Sequence, residues 1–568
     1  MSDPEMQRTS PTHRKPQGKE STAERPAAER DPVAVVPPSD PSPKARALVL
    51  GLFLVSMALR FVALDGIPSG SYVDESSIGY NAYSILITGA DEHGMKLPLF
   101  FKAFGEYKNP LFIYSLVPLI YVFGLSLWTV RLGAALFGLG TAVILGLITK
   151  ESLGGRFSWA IGALLASLTP WLFCLSRIGF EAVTLPFFLV LGLWSWMRAV
   201  KLNSSWWLLL CGVAWALGLF SYSTARLVVP VLFVTLLGCY FREIKRLGAR
   251  LVIVLVPLVL GVFLLWSWSR ATQGGLVARF ATISIWKDEA DLITVAGRFL
   301  TNYVDYISPS FLFFTGDPNL RHHTGIGGEL FLFFFPALLA GLAYAWQSRQ
   351  QPLERFVLLG FLMFPLAASL TEDSSHALRT AHGAPFLVLL AAWGFCLLWN
   401  MVGQHRLLIA IFMVAPILEV SMFYHDYFSH YAERSRLWFN AGTTELLRQA
   451  FDLRPTGICY LPGVFMDDRL EVNHPYIQFL FLGRLDPGVY QAKGLEGFNI
   501  RMYDPAMSLT PGTLLLVKDA EELLTVSGKK VAIKKSLPPL PHSVELIART
   551  PATADEDTAF YSIYRIRE

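Results

Sequence analysis

An α-helical protein that crosses a membrane about eleven times, with a small extracytoplasmic α/β domain at its C-terminal end, is the fold class this sequence predicts. Three observations point to it. Apolar residues make up 53% of the 568 residues and charged residues only 16%, too little charge for the surface of a soluble chain of this length. The apolar residues gather into runs long enough to cross a bilayer, roughly 17–25 residues each, and lift the mean hydropathy to +0.43. After about residue 422 the runs stop, and strand-like pieces such as "TLLLVKD" and "AFYSIYRI" take over, built of the β-branched and aromatic residues that favour strands.

Each element follows in order. Residues 1–44 are rich in Pro, Glu, Arg and Ser and lack apolar periodicity, so a disordered tail is expected there. The segment is too long and too acidic for the start of a signal peptide, and is read as a retained cytoplasmic tail. Apolar runs then begin near residues 46, 110, 129, 156, 182, 204, 226, 251, 329, 354, 383 and 405. Lys and Arg concentrate in short cytoplasmic loops, and this decides how many of the runs cross. If 110–127 crosses, Lys150, Arg156, Arg242, Lys245, Arg246 and Arg250 fall outside. If it does not, they fall inside with Arg198, Lys201, Arg349, Arg355 and Arg406. The run is interrupted by Pro110 and Pro118 and carries Tyr114 and Tyr121, which suits a helix lying in the outer interface. Eleven spans remain. The membrane domain then occupies 45–430, with outer segments at 65–128, 174–182, 270–328 and 371–382, and residues 431–568 form the α/β domain in the plasma-membrane exterior.

A net charge of +4 gives no reason to expect nucleic acid. Cys174, Cys211, Cys239, Cys396 and Cys459 are scattered, without the spacing of a zinc site or a disulfide framework.

The outer segments hold most of the acids and bases near the spans. Asp74, Glu75, Asp91, Glu92, Lys102, Glu106 and Lys108 lie in the first. Arg131 begins the next span, Arg177 and Glu181 flank a short turn, and Arg226 follows "SYSTA". Asp305, Asp317, Arg321, His322, His323 and Glu329 lie in the long loop, and Glu372, Asp373, His376, Arg379 and His382 in the last. Ionisable groups near membrane depth persist chiefly where they pair or act, so one shared polar cavity is expected. Plainer readings stand beside this. Asp91 and Glu92 in "GADEHG" read as turn residues in a solvated loop, Lys102 as an interfacial anchor, and His322 and His323 as loop histidines. Asp74 read as a helix N-cap accounts for one acid, not for Glu75 or the gathered bases.

Acids and arginines together suit one reaction. A carboxylate can take the proton of an acceptor hydroxyl, while Arg and Lys hold a phosphate and stabilise it as it leaves. At an outer membrane face the phosphate donor is expected to be a lipid, since the chain has no Gly-rich nucleotide loop.

The series of motifs resembles a glycosyltransferase family. "VDESSIGYNAYSIL" is similar to the first-loop Asp-Glu motif of bacterial GT-C enzymes, the group that includes the lipid A aminoarabinose transferase and the protein O-mannosyltransferases. "EYKNPLFIY" resembles their Lys-Pro-Pro-Leu stretch, with Asn109 where a proline is usual. "TVRLGAALFG", "LTPWLFCLSRIGFEAVTLPFF", "SYSTARLVVP", "GDPNLRHHTGIGGELFLFFFP" and "SSHALRTAHGAPFLVLL" resemble later signatures. The resemblance covers about 46–430. It implies a GT-C-like fold and transfer of a sugar from a polyprenyl-phosphate donor to a lipid, glycan or protein acceptor. It further implies that Asp74, Glu75 and Glu181 are catalytic acids and that Lys108 binds the lipid phosphate. Arg131, Arg177, Arg226, Arg321, His376 and Arg379 are the further substrate-binding candidates, and a divalent metal ion stays open as a cofactor. Two other readings compete. A polysaccharide polymerase or ligase with a lipid-diphosphate donor would use the same basic groups without depending on Asp74. A transporter would carry ionisable residues along the middle of several spans, where this sequence has almost none.

Overall fold

A computed structural model of the chain describes residues 43–273, 275, 278–286, 291–373, 375–402, 406–461, 474–526, 529–534, 544–551 and 559–567. The tail expected over 1–44 lies outside these residues except for Pro43 and Lys44, which open the first helix, Pro43–Leu59.

Most of the described residues up to 434 are helical. Among the described residues, five helical stretches are long and apolar enough to cross a membrane: Leu127–Leu153, Glu181–Leu202, Phe241–Ala271, Pro352–Ser369 and Ala381–Met401. Shorter apolar helices accompany them, among them Arg46–Leu59, Pro110–Phe123, Ser205–Gly218 and Ala225–Cys239. The helix Leu127–Leu153 packs on Arg156–Leu168 and Thr184–Leu202. Thr184–Leu202 packs on Ser205–Gly218, which in turn meets Val252–Ala271. Helices in an apolar solvent associate through close backbone approach at small residues, and the crossing of Phe334–Gln347 with Ala384–Val402 does this twice. A Cβ at Gly341 would strike the Leu390 carbonyl, and one at Gly394 would strike the Ala337 carbonyl. Val256, Val259, Phe263 and Trp266 stay exposed along Val252–Ala271, an apolar face fit for lipid.

The C-terminal part forms a mixed sheet in the order Ile500–Met502, Ile458–Tyr460, Leu514–Val526, Ala559–Ile566, Val544–Pro551, with Lys529–Lys534 paired to Leu514–Val526. The first three strands are parallel and the remaining pairings antiparallel. "TLLLVKD" and "AFYSIYRI" therefore fall on neighbouring strands. Leu446, Leu447 and Phe479 from the covering helices close the core over Leu514, Leu516 and Ile563.

This domain grips the helix Val73–Thr88. Phe481, from the helix Pro475–Leu482, lies where a Cβ at Gly79 would be, 2.6 Å from it. Tyr80 Oη donates to the Leu485 carbonyl at 3.0 Å, and Gln491 Nε2 reaches the Asp91 carbonyl at 2.8 Å. The "GADEHG" turn is present, with Asp91 Oδ1 accepting from the His93 and Met95 amides. It is not solvated as its composition suggested: Asp91 and Glu92 are buried, and Tyr476 Oη donates to Glu92 Oε1 at 3.3 Å.

Candidate active site

A cavity of about 570 Å³ opens where helix ends and loops meet. Asp74 enters it from the first turn of Val73–Thr88, Lys108 from the strand Glu106–Lys108, Glu181 from the 3₁₀ turn Glu181–Val183, and Arg226 from the start of Ala225–Cys239. Arg321, His376 and Arg379 enter from loops. Residues from the four segments expected on the outer face, and from the "SYSTA" turn before Arg226, thus share one space.

Lys108 bridges two acids of the cavity lining. Nζ lies 2.9 Å from Asp74 Oδ1 and 3.0 Å from Glu106 Oε1. Burial opposes the ammonium charge, but Asp74, Glu106 and Glu181 outweigh it and hold the Lys108 pKa above its ordinary value. An ammonium has three donors, so one remains after these two contacts. Glu181 is held differently. Its Oε2 accepts from the Asn109 amide at 2.7 Å and its Oε1 from Asn109 Nδ2 at 2.6 Å. Asn109 Oδ1 accepts from Arg226 Nη2 at 2.9 Å. Asn109, noted in the sequence only as the residue in place of a proline, couples the second acid to an arginine.

Arg321 is stacked between two rings, 4.5 Å from the Tyr72 centroid and 5.4 Å from that of Trp438. Its Nε donates to Asn319 Oδ1 at 3.2 Å, and its two terminal nitrogens make no hydrogen bond within the protein among the described residues. Arg379 is tied to Thr371 Oγ1 at 2.8 Å and to Asp373 Oδ2 at 2.9 Å.

Three candidates from the sequence stand outside the cavity. Glu75 and Arg131 are fully buried and pair with each other through two contacts of 2.8 Å. Glu75 Oε1 also accepts from the Gly179 amide at 2.9 Å. Arg131 spends its other donors on the carbonyls of Leu64, Pro68 and Gly70. Arg177 donates to the carbonyls of Leu59, Arg60, Val62, Ala63 and Ile67 and to Tyr427 Oη. Every donor on both guanidinium groups is engaged by protein, so the expectation that Arg131 and Arg177 grip substrate gives way to arginines that hold the 59–70 segment. Glu75 leaves the catalytic set for the same reason: its carboxylate is closed off in an ion pair.

The loop histidines are also placed more closely than "GDPNLRHH" suggested. His322 Nδ1 lies 2.9 Å from Asp317 Oδ2, and the His322 and His376 rings stack with centroids 4.5 Å apart. The Asp317–His322 spacing is visible in the sequence, but its partner His376 is brought in only by the fold.

Known proteins give a fold for this arrangement. The family model for dolichyl-phosphate-mannose-protein mannosyltransferases matches residues 108–268. Among solved structures, ArnT from Cupriavidus metallidurans bound to undecaprenyl phosphate aligns with a TM-score of 0.55 at 13% identity, covering 91% of this chain and 98% of that one. The chain has the GT-C fold. The apo form of the same ArnT aligns over 83% of this chain and 93% of its own, with a TM-score of 0.51 and 14% identity. A search of curated proteins gives no match. The GT-C resemblance read from the motifs therefore stands, and the family-model match begins at Lys108, on the cavity wall.

Proposed function

We propose that this chain is a membrane glycosyltransferase that moves a sugar from a polyprenyl-phosphate donor to an acceptor hydroxyl on the extracytoplasmic face, with Asp74 as the base. The observation that carries the reading is the meeting of Asp74, Lys108 and Arg321 in one cavity at helix ends. Asp74 takes the hydroxyl proton, the hydroxyl oxygen bonds to the anomeric carbon, and the bond from that carbon to the phosphate oxygen breaks. The electron pair leaves with the phosphate, where fixed positive charge stabilises it. Lys108 has one donor to offer, and the unpaired fork of Arg321 matches two phosphate oxygens. Glu181, locked by Asn109, is assigned to orienting Asn109 and Arg226 along the wall. The crystal form of ArnT that the fold resembles holds undecaprenyl phosphate, which is in keeping with a lipid-phosphate donor here.

Cells lacking the protein are expected to accumulate a lipid-linked sugar identifiable by mass spectrometry. Wild-type protein should clear it. Asp74→Asn should be inserted at normal levels yet transfer about 10²–10⁴-fold more slowly, because an amide cannot accept the proton. Clearance by Asp74→Asn at near the wild-type rate would refute the assignment of the base.

A further inference from the structure

We propose that Asp317, His322 and His376 form a binding site for one divalent transition metal of the zinc class on the cavity wall. One carboxylate oxygen and one ring nitrogen from each histidine lie within 4.8 Å of one another. In a tetrahedral zinc site with bonds of about 2.0–2.2 Å, ligand atoms sit about 3.4 Å apart. Here Asp317 Oδ2 is 2.9 Å from His322 Nδ1 and 3.9 Å from His376 Nδ1, on either side of that value. The two nitrogens address the same oxygen from stacked rings.

A hydrogen-bonded Asp–His pair with a second histidine stacked on it is the plain alternative. It leaves one atom unexplained. His376 Nδ1 is buried and has no hydrogen-bond partner among the described residues, an unfavourable state for a polar atom. A metal bound to that nitrogen removes the deficit. The carboxylate is also held as a ligand should be. Asp317 Oδ1 accepts from the Asn319 amide at 2.8 Å, Oδ2 from the Ala377 amide at 2.8 Å, and the Asp317 amide donates to Glu329 Oε1 at 3.0 Å. Such outer partners fix the direction of a ligating oxygen.

The donor set names the class of ion. Two imidazoles and one carboxylate suit zinc, cobalt or nickel rather than magnesium or calcium, which take oxygen. His322 and His376 line the cavity, so a metal on their ring nitrogens would offer its open coordination position to the cavity. A dication balanced by one carboxylate keeps net positive charge, and that position favours an anionic oxygen. The site stands on these three side chains and does not depend on the transfer reaction.

The test uses the full chain, purified in detergent, freed of any histidine tag and stripped with a chelator. Cobalt(II) is titrated in, followed by its visible absorption, and zinc(II) is added in competition. One cobalt per chain, displaced by one zinc, is expected. His376→Ala and His322→Ala should each weaken binding at least tenfold, since loss of an outer partner alone costs about 10–100-fold. His323→Ala, at the neighbouring histidine, should leave binding unchanged. The proposal is overturned if the wild-type chain takes up no stoichiometric metal, or if a folded His376→Ala protein binds as tightly as wild type. Should a variant fail to fold, the wild-type stoichiometry and the nitrogen-ligated cobalt spectrum decide.

Discussion

Arg321→Ala should weaken polyprenyl-phosphate binding by about ten- to a hundredfold. Hydrogen bonds to charged groups contribute about 1.5–3 kcal/mol, and about 1.4 kcal/mol is a factor of ten in affinity. Arg321 is where that energy is available. Its terminal nitrogens have no partner among the described residues, whereas Arg379 is already tied to Thr371 and Asp373. The side chain is also pre-positioned, because Tyr72 and Trp438 sandwich it, so little rotamer freedom is lost on binding. The assay measures undecaprenyl phosphate binding to the purified chain in detergent, with undecaprenol, which lacks the phosphate, as the reference. Removal of the guanidinium should lower the phosphate-dependent part and leave undecaprenol binding unchanged. Arg321→Lys keeps the charge but not the fork and should fall between. The substitution also removes two ring contacts worth about 0.5–1 kcal/mol each, so a thermal melt must establish that the variant is folded. A folded Arg321→Ala protein with an unchanged ratio of phosphate to alcohol binding would refute the assignment.

Other expected outcomes concern stability and topology. Glu75→Gln should lower stability by about 3–5 kcal/mol, the usual result of leaving a buried charge such as Arg131 without its partner. A melting temperature equal to wild type would contradict the buried ion pair. Burial pushes the Glu92 carboxyl up to about 8, with Asn81 and Tyr476 opposing the shift. The folded chain therefore keeps a proton that the unfolded chain releases above its ordinary value of 4.5. Stability from this group is complete at low pH and declines by about 1.4 kcal/mol per unit as pH rises towards 8. Glu92→Gln should accordingly melt like wild type near pH ~5, gain on it up to about pH 8, and run parallel above. A pH-independent difference would count against a neutral buried carboxyl. For topology, the native cysteines are all buried and give a quiet background. An impermeant thiol reagent on intact cells should label Ala271→Cys and not Lys150→Cys, and the reverse pattern would overturn the outward orientation of the cavity.

The apolar runs were readable because burial in lipid needs many consecutive residues, and no tertiary contact is required to see them. The acid- and base-bearing segments that meet in the cavity were readable because charge is excluded from the apolar runs between them. What the sequence cannot separate is Asp74 from Glu75. Both are acids at the start of one helix, but successive helical residues point about 100° apart. Asp74 turns towards the cavity, and Glu75 turns inward to Arg131 and Gly179. The same limit applies to Arg131 and Arg177, whose burial is decided by carbonyls more than a hundred residues away for Arg177. Asp317 and the Ala377 amide it accepts from are 60 residues apart, and no local pattern joins Asp317 to His376. The covering of "GADEHG" by Tyr476 and Gln491 is likewise a contact across some 400 residues, which composition cannot anticipate.

The two buried arginines also set an order of assembly. Leu59 and the carbonyls that follow it leave the ribosome first, and Arg177 comes 118 residues later than Leu59. At roughly 5–20 residues per second, that interval is about 6–24 s. Arg177 in turn waits for Tyr427, a further 250 residues along. An unpaired carbonyl cannot rest in hydrocarbon, so the 59–70 segment must stay hydrated until its arginines arrive. The first helix is thus inserted early but seated later, and the segment that leads into the Asp74 helix takes its final path only once Arg177 has been made.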